Sequence, residues 1–136
     1  MTFPNQLIIL GSTGSIGTQA LDVVREIKAS GQSDIQVLGL AAGGSQLDLL
    51  AQQVAEFSPR AVAVACTSAA AKLPDLLKHY GLDEQPLQIF NGPDAAAELV
   101  RSLAMGQDGT VLNGITGSVG LAATLATLAD GARLAL

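Results

Sequence analysis

The sequence predicts an α/β fold, a Rossmann-like doubly wound parallel sheet with helices on both faces. Short apolar runs alternate with segments of helical periodicity along the whole chain of 136 residues. Hydrophobic residues make up 49% of the chain and charged residues only 14%, with Ala, Val, Leu and Gly abundant. Such a composition is typical of helices packed closely on a buried sheet. We therefore expect residues 1–136 to form one domain.

The first strand is expected at residues 7–10, because all four are apolar, as in a strand that is covered on both faces. A loop of sequence Gly-Ser-Thr-Gly-Ser-Ile-Gly follows at residues 11–17. Helical spacing then predicts a helix that ends at Gly31. Its apolar stripe is predicted to contain Ile16, Ala20, Val23 and Ile27.

Five further apolar runs predict strands at residues 35–42, 60–65, 87–90, 109–112 and 132–136. The intervening segments have helical spacing, and their flanking residues suggest where each helix begins or breaks. Ser45 is a candidate cap of the second helix, and Thr67 or Ser68 of the third. We expect Pro74 to kink or divide the third helix, Pro93 to lie near the first position of the fourth, and Gly131 to end the fifth.

The loop after the first strand has the features of a phosphate-binding turn. Gly11, Gly14 and Gly17 recur at a spacing of three, and glycine allows a tight turn or the close approach of a ligand to the backbone. The first amides of a helix lack intrahelical acceptors and suit an anion. We predict nucleotide-phosphate binding here, although an ordinary glycine-rich turn is the alternative. The loop is not a P-loop, because no Lys-Ser/Thr follows it.

The end of the second predicted strand bears on the choice of cofactor. NAD-binding domains usually carry an acidic residue there, which binds the ribose 2′-hydroxyl. This chain has Ala-Ala-Gly-Gly-Ser-Gln at residues 41–46 and no carboxylate before Asp48. Free amide N–H groups and the Ser45 hydroxyl could donate hydrogen bonds to a 2′-phosphate, so the sequence favours NADP. The loop contains no Lys or Arg, however. Ser45 is open to either role, helix cap or phosphate ligand, or to both.

Charge and composition argue against several function classes. A net charge of −5 and a pI of about 4.5 argue against nucleic-acid binding. The first residues do not resemble a signal peptide, and glycines and charged residues interrupt the most apolar tract, 116–136, which argues against a membrane span. We expect a cytoplasmic protein without a membrane partner.

The reactive residue types are scattered, and we assign none of them a catalytic or metal-binding role. Cys66, the only cysteine, lies in an apolar run and is predicted to be a buried, inert thiol. His79 stands alone near a predicted helix end and is expected at the surface. Solvated helix faces are expected for the carboxylates of Asp22, Glu26, Asp48 and Glu56.

The glycine-rich loop and the following Ala-Leu-Asp-Val-Val at residues 20–24 resemble the opening of 1-deoxy-D-xylulose 5-phosphate reductoisomerases. Ala-Gly at 42–43, Phe-Ser-Pro-Arg at 57–60 and the segment 117–126 extend the resemblance over essentially the whole chain. Enzymes of this family rearrange 1-deoxy-D-xylulose 5-phosphate and reduce the product to 2-C-methyl-D-erythritol 4-phosphate, in non-mevalonate isoprenoid biosynthesis. The resemblance implies NADPH as cofactor, Mg²⁺ or Mn²⁺, a sugar-phosphate substrate and a homodimer.

The resemblance also implies that three loops bind the cofactor. The first, after Gly11, would hold the pyrophosphate with Thr13, Gly14, Ser15 and Ile16. The second would approach the adenosine ribose phosphate with Gly43, Gly44, Ser45 and Gln46, where family members often have Gly-Lys-Asn. The third would line the nicotinamide side with Gly114, Ile115, Thr116 and Gly117.

The family's Asn-Lys-Glu-Ser motif, metal-binding acidic residues and substrate lid lie beyond the last predicted strand. The chain also stops inside an apolar run at residues 134–136, so we expect the amino-terminal part of a longer protein. Such a chain would bind cofactor weakly at most and would not turn over substrate alone. The alternatives are the Rossmann domain of another NAD(P)-dependent dehydrogenase and a non-catalytic nucleotide-sensing domain.

Overall fold

The computed structural model describes residues 5–82, 86–115 and 117–135. Within these ranges strands and α-helices alternate, and a short 3₁₀-helix, Gly106–Asp108, precedes the fifth strand. The strands are β1 (Gln6–Leu10), β2 (Gln36–Ala42), β3 (Ala61–Val64), β4 (Gln88–Asn91), β5 (Gly109–Asn113) and β6 (Arg133–Ala135). The helices are α1 (Ser15–Ser30), α2 (Leu47–Phe57), α3 (Thr67–Lys78), α4 (Ala95–Leu103) and α5 (Gly117–Asp130).

All strand pairs are parallel, and the order in the sheet is β4-β3-β2-β1-β5-β6. From β1 the chain moves outward to β4 with α1, α2 and α3 on one face. Helix α4 then returns it across the sheet to β5, on the other side of β1, so that α4 and α5 cover the second face. This arrangement confirms the predicted doubly wound fold and places the change of winding direction between β1 and β5.

Two apolar cores lie on the two faces of the sheet, and successive strand residues belong to different cores. Leu7 and Ile9 of β1 pack with α1, α2 and α3, whereas Ile8 and Leu10 pack with α4 and α5. The double coverage explains why the strands read as unbroken apolar runs. Among the residues that the structure describes, none of the helices is both long and apolar enough to cross a membrane.

The buried stripe of α1 differs from the predicted one. Ile16 and Val23 are 54% and 53% exposed, and the buried residues are Gly17, Leu21, Val24 and Ile27. The reason is the close contact of the helix with its own loop. Gly17 lies so near the Gly11 carbonyl oxygen that a side chain there would collide with it. That contact turns the face containing Gly17, rather than Ile16, towards the sheet.

Several predicted helix boundaries were also wrong. Helix α2 begins after Gln46 and has no side-chain cap, so Ser45 lies one residue too early to cap it. Thr67 and Ser68 are the first residues of α3, which runs without a break through Pro74. Pro93 lies directly before the Asp94 cap of α4, near the start of the helix as predicted. The predicted ends of α1 at Gly31 and of α5 at Gly131 are confirmed, since both glycines have positive φ.

Candidate functional site

The loops after β2, β1 and β5 meet at the carboxyl edge of the sheet, because these three strands are neighbours. The amides of Gly11 and Ser12 both donate to the Ala41 carbonyl oxygen, at 2.8 and 2.9 Å, and tie the first loop to the end of β2. On the other side, a Cβ on Gly11 would lie 3.2 Å from the carbonyl carbon of Gly114. Ile16 borders Gly114 as well. The structure therefore brings together the three segments that were predicted to form the site.

The three glycines of the first loop are used in different ways. Gly11 has φ +82°, a conformation that residues with a side chain rarely adopt. Gly17 allows α1 to pack against the loop backbone. Gly14 has an ordinary φ of −81°, and the nearest atom to a Cβ placed there is the Gly11 oxygen at 3.4 Å. The fold does not need glycine at residue 14, whereas a ligand lying on the loop would.

Several backbone N–H groups of this loop and of the start of α1 donate no hydrogen bond to any described residue. The Gly14 amide donates to the Gly11 carbonyl oxygen at 3.1 Å. In the described part of the chain, no hydrogen bond uses the amides of Thr13, Ser15, Ile16 and Gly17. The last three open α1, where the helix dipole is positive. The arrangement suits an anion such as a diphosphate.

Two glutamines of the α2 segment bind the carbonyl groups of the same loop. Gln53 Nε2 donates to Ser12 O at 2.9 Å, and Gln46 Nε2 donates to Thr13 O at 3.1 Å. Because the carbonyl and amide of a trans peptide point in opposite directions, the first bond directs the Thr13 amide away from Gln53. Sequence reasoning missed Gln53. The available signal was a polar residue within the buried stripe of α2, where it is only 3% exposed.

The loop after β5 is fixed by the buried side chain of Asn113. Its Oδ1 accepts a hydrogen bond from the Ile115 amide at 3.0 Å, and its Nδ2 donates to Gly120 O and Thr124 Oγ1, both at 2.9 Å. Asn113 was not predicted as a site residue, although an Asn at a strand end often binds the backbone two residues on. Thr116 lies outside the described residues, and Gly117 begins α5.

The loop after β2 lies against α3. Gly44 has φ +114°, and a Cβ placed there would be 2.8 Å from Ala69 Cβ and 3.2 Å from Cys66 Cβ. Gly43 has open space around it, and Ser45 and Gln46 are exposed. These two polar residues line an open groove between α2 and α3.

The prediction of a buried Cys66 was wrong. Strand β3 ends at Val64, so Cys66 lies beyond the sheet, exposed, at the residue before α3. The Ser68 hydroxyl, 3.2 Å from the sulfur, and the backbone amides of Ala69 and Ser68 lower the pKa of its thiol.

The other reactive residue types are placed as predicted. His79 is exposed and caps the end of α3, and the carboxylates of Asp22, Glu26, Asp48 and Glu56 are exposed on helices. Across residues 5–82, 86–115 and 117–135, no three His, Cys, Asp or Glu side chains come together as a metal site would need. The described residues therefore do not fit a metal centre.

The model of the 1-deoxy-D-xylulose 5-phosphate reductoisomerase family matches residues 7–136 of this chain. The reductoisomerase of Rhodococcus jostii is 47% identical over 133 residues, which cover 98% of this chain and 29% of that protein. That of Beutenbergia cavernae is 49% identical over 131 residues, covering 96% and 30%.

Part of a solved reductoisomerase of Zymomonas mobilis, in complex with NADPH, has the same fold as this chain. The two superpose with a TM-score of 0.76 at 28% identity, and the match covers 97% of this chain and 31% of that one. This chain thus spans about a third or less of the length of the relatives that it matches. On the match of the family model and the identity to these relatives, the chain belongs to the 1-deoxy-D-xylulose 5-phosphate reductoisomerase family.

Proposed function

We propose that this chain is the NADPH-binding domain of a 1-deoxy-D-xylulose 5-phosphate reductoisomerase. The observation that carries the proposal is Gly14, a glycine that the fold does not require, beside amides that no described residue uses. A side chain at residue 14 would stand where a diphosphate approaches those amides. Family membership and the NADPH complex of the Zymomonas mobilis relative support the same cofactor.

Each loop has a proposed part in holding the dinucleotide. The amides of Thr13, Ser15 and Ile16 would bind the pyrophosphate, with Gly11 and Gly14 leaving room for it. The second loop, with Gly43, Gly44, Ser45 and Gln46, would lie beside the adenosine ribose. The third, with Gly114, Ile115, Thr116 and Gly117, would border the nicotinamide ring, which supplies a hydride when NADPH is bound.

The activity of the whole enzyme is part of the proposal. We propose that the longer protein rearranges and reduces 1-deoxy-D-xylulose 5-phosphate as a cytoplasmic homodimer. Because the described residues form no metal centre, we place the Mg²⁺ or Mn²⁺ ligands and the catalytic groups in the part of the family's length that this chain does not span. By itself this chain would bind the cofactor weakly and would not turn over substrate.

The test replaces Gly14 with Val and measures NADPH binding by calorimetry. Val fits the extended backbone of residue 14, so circular dichroism and the melting temperature should stay close to those of the parent chain. Binding should disappear, because the side chain would fill the space of the pyrophosphate. Gln19→Val, at an exposed position of α1, is the matched control and should bind normally. Unchanged NADPH affinity of Gly14→Val would refute the assignment of this loop.

A further inference from the structure

Resting on the proposed function, we propose that Lys72 of α3 supplies the positive charge that recognises the 2′-phosphate of NADPH. A 2′-phosphate carries between one and two negative charges near neutral pH. The loop predicted to receive it, residues 41–46, contains no Lys or Arg. Its hydroxyl and amides can donate hydrogen bonds but cannot neutralise that charge. A cation must therefore come from a different element if NADPH is to be preferred to NADH.

Helix α3 forms the wall that faces this loop. An open groove of about 670 Å³ has Ser45 and Gln46 on one side and Lys72 and His79 on the other. Lys72 is thus the lysine that shares a cavity with the predicted 2′-phosphate ligands. The groove is wide enough for a phosphate and its water molecules.

The packing of Gly44 shows how closely α3 and the loop approach each other. A Cβ on Gly44 would be 2.8 Å from Ala69 Cβ, so the loop rests on the first turn of α3. Lys72 follows Ala69 by three residues and therefore lies on the same side of the helix, one turn further on. The positive φ and tight surroundings of Gly44 also disfavour a long cationic side chain at that position.

The charges around Lys72 leave its ammonium available. Lys78, the other lysine of α3, lies 3.9 Å from Asp75, whereas Lys72 forms no ion pair with any described residue. The Ser68 hydroxyl contributes most to the lowered pKa of Cys66, and the Lys72 charge adds a smaller part. Asp48 and Asp75 also line the groove and would repel a phosphate, so Lys72 is the cation of the lining that opposes two carboxylates.

The experiment compares Lys72→Gln with Lys78→Gln, a matched loss of one charge on the same helix. NADPH and NADH are titrated calorimetrically into each variant and the parent chain, at low and at high NaCl. We expect Lys72→Gln to weaken NADPH binding about tenfold, as for a lost charged hydrogen bond, and to leave NADH unchanged. It should also reduce the salt dependence of NADPH binding. Lys78→Gln should behave like the parent, and Lys72→Arg should retain the preference for NADPH.

Two results would overturn the inference alone. One is a parent chain that binds NADPH and a Lys72→Gln variant that binds it equally well. The other is an equal loss of affinity for NADPH and NADH, which would indicate a structural role. In the first case, a His79→Gln variant that loses the preference for NADPH would assign the charge to His79 instead. A parent chain that binds neither nucleotide would overturn the proposed function together with this inference.

Discussion

The loop between β1 and α1, residues 11–14, closes on the carbonyl group of Gly11. That group accepts the Gly14 amide and lies against Gly17, so the loop folds back on the first turn of α1. Gly17 is therefore a packing residue, whereas Gly14 borders open space. Gly14 and Gly17 look alike in the sequence, but a side chain would collide with the backbone only at Gly17.

We predict that Gly17→Ala destabilises the chain by about 2 kcal/mol or more, as overpacking against backbone does. The added Cβ would collide with the Gly11 oxygen and lie 2.6 Å from Ser12 Cα, and backbone atoms cannot move aside as a flexible side chain can. Alanine is more favourable than glycine in a helix interior by about 1 kcal/mol, and we expect the free-energy cost of the clash to be larger than that gain. Urea unfolding measures the change. Gly14→Ala is the control, with little expected loss, and equal stability of the two variants would contradict the packing role of Gly17.

The glycine spacing was sufficient to predict a tight turn between β1 and α1, because that pattern is local in sequence. The position of Cys66 was not predictable in that way. Its apolar neighbours suggested a strand, but β3 stops at Val64, the residue paired with Ala42 at the end of β2. Where one strand ends depends on the length of its partner, which lies far away in the sequence.

At the level of elements, α2 supports the loop of α1. Gln46 and Gln53 are seven residues apart, about two helical turns, so both face the loop and bind successive carbonyl groups. The sequence contained a polar residue in a buried stripe, but its partner follows only from the packing of α2 against the loop. Support of this kind would orient the Thr13 amide before the nucleotide binds.

We predict that Gln53→Met weakens NADPH binding about tenfold, the effect of losing a typical hydrogen bond that holds a ligand group in place. Methionine has a similar length but donates no hydrogen bond, so the Ser12–Thr13 peptide would lose its orientation. Calorimetric titration with NADPH measures the effect. Gln19→Met, at an exposed residue of α1, controls for the substitution itself and should have no effect. A Gln53→Met variant with parental affinity would show that the loop orients its amides without α2.

For the molecule as a whole, the strict alternation of strand and helix was enough to predict the doubly wound sheet. The strand order was not, because alternation does not say where the chain crosses back. In the structure α4 makes that return, and Gly39 of β2 allows it to pass closely, since a Cβ there would be 2.8 Å from Leu103 Cδ1. In the sequence, the feature that corresponds to this close passage of α4 over β2 is Gly39, a glycine inside an apolar run.

The sheet separates the two cores, and neighbouring residues of β1 provide a test of that separation. Ile8 and Ile9 are both fully buried, one in each core. We predict that Ile8→Val and Ile9→Val each lower the free energy of unfolding by about 0.5–1.5 kcal/mol. If only one face of the sheet were covered, one of the two substitutions would have almost no effect.

The double variant extends the test to the whole molecule. Because the two side chains share no packing partners in the cores, their effects should add to within about 0.5 kcal/mol, although the residues are adjacent in sequence. Urea unfolding of the parent, both single variants and the double variant gives the coupling energy directly. A coupling of about 1 kcal/mol or more would mean that strain passes through the β1 backbone from one face to the other. The glycine loop at the end of that strand would then respond to changes in either core.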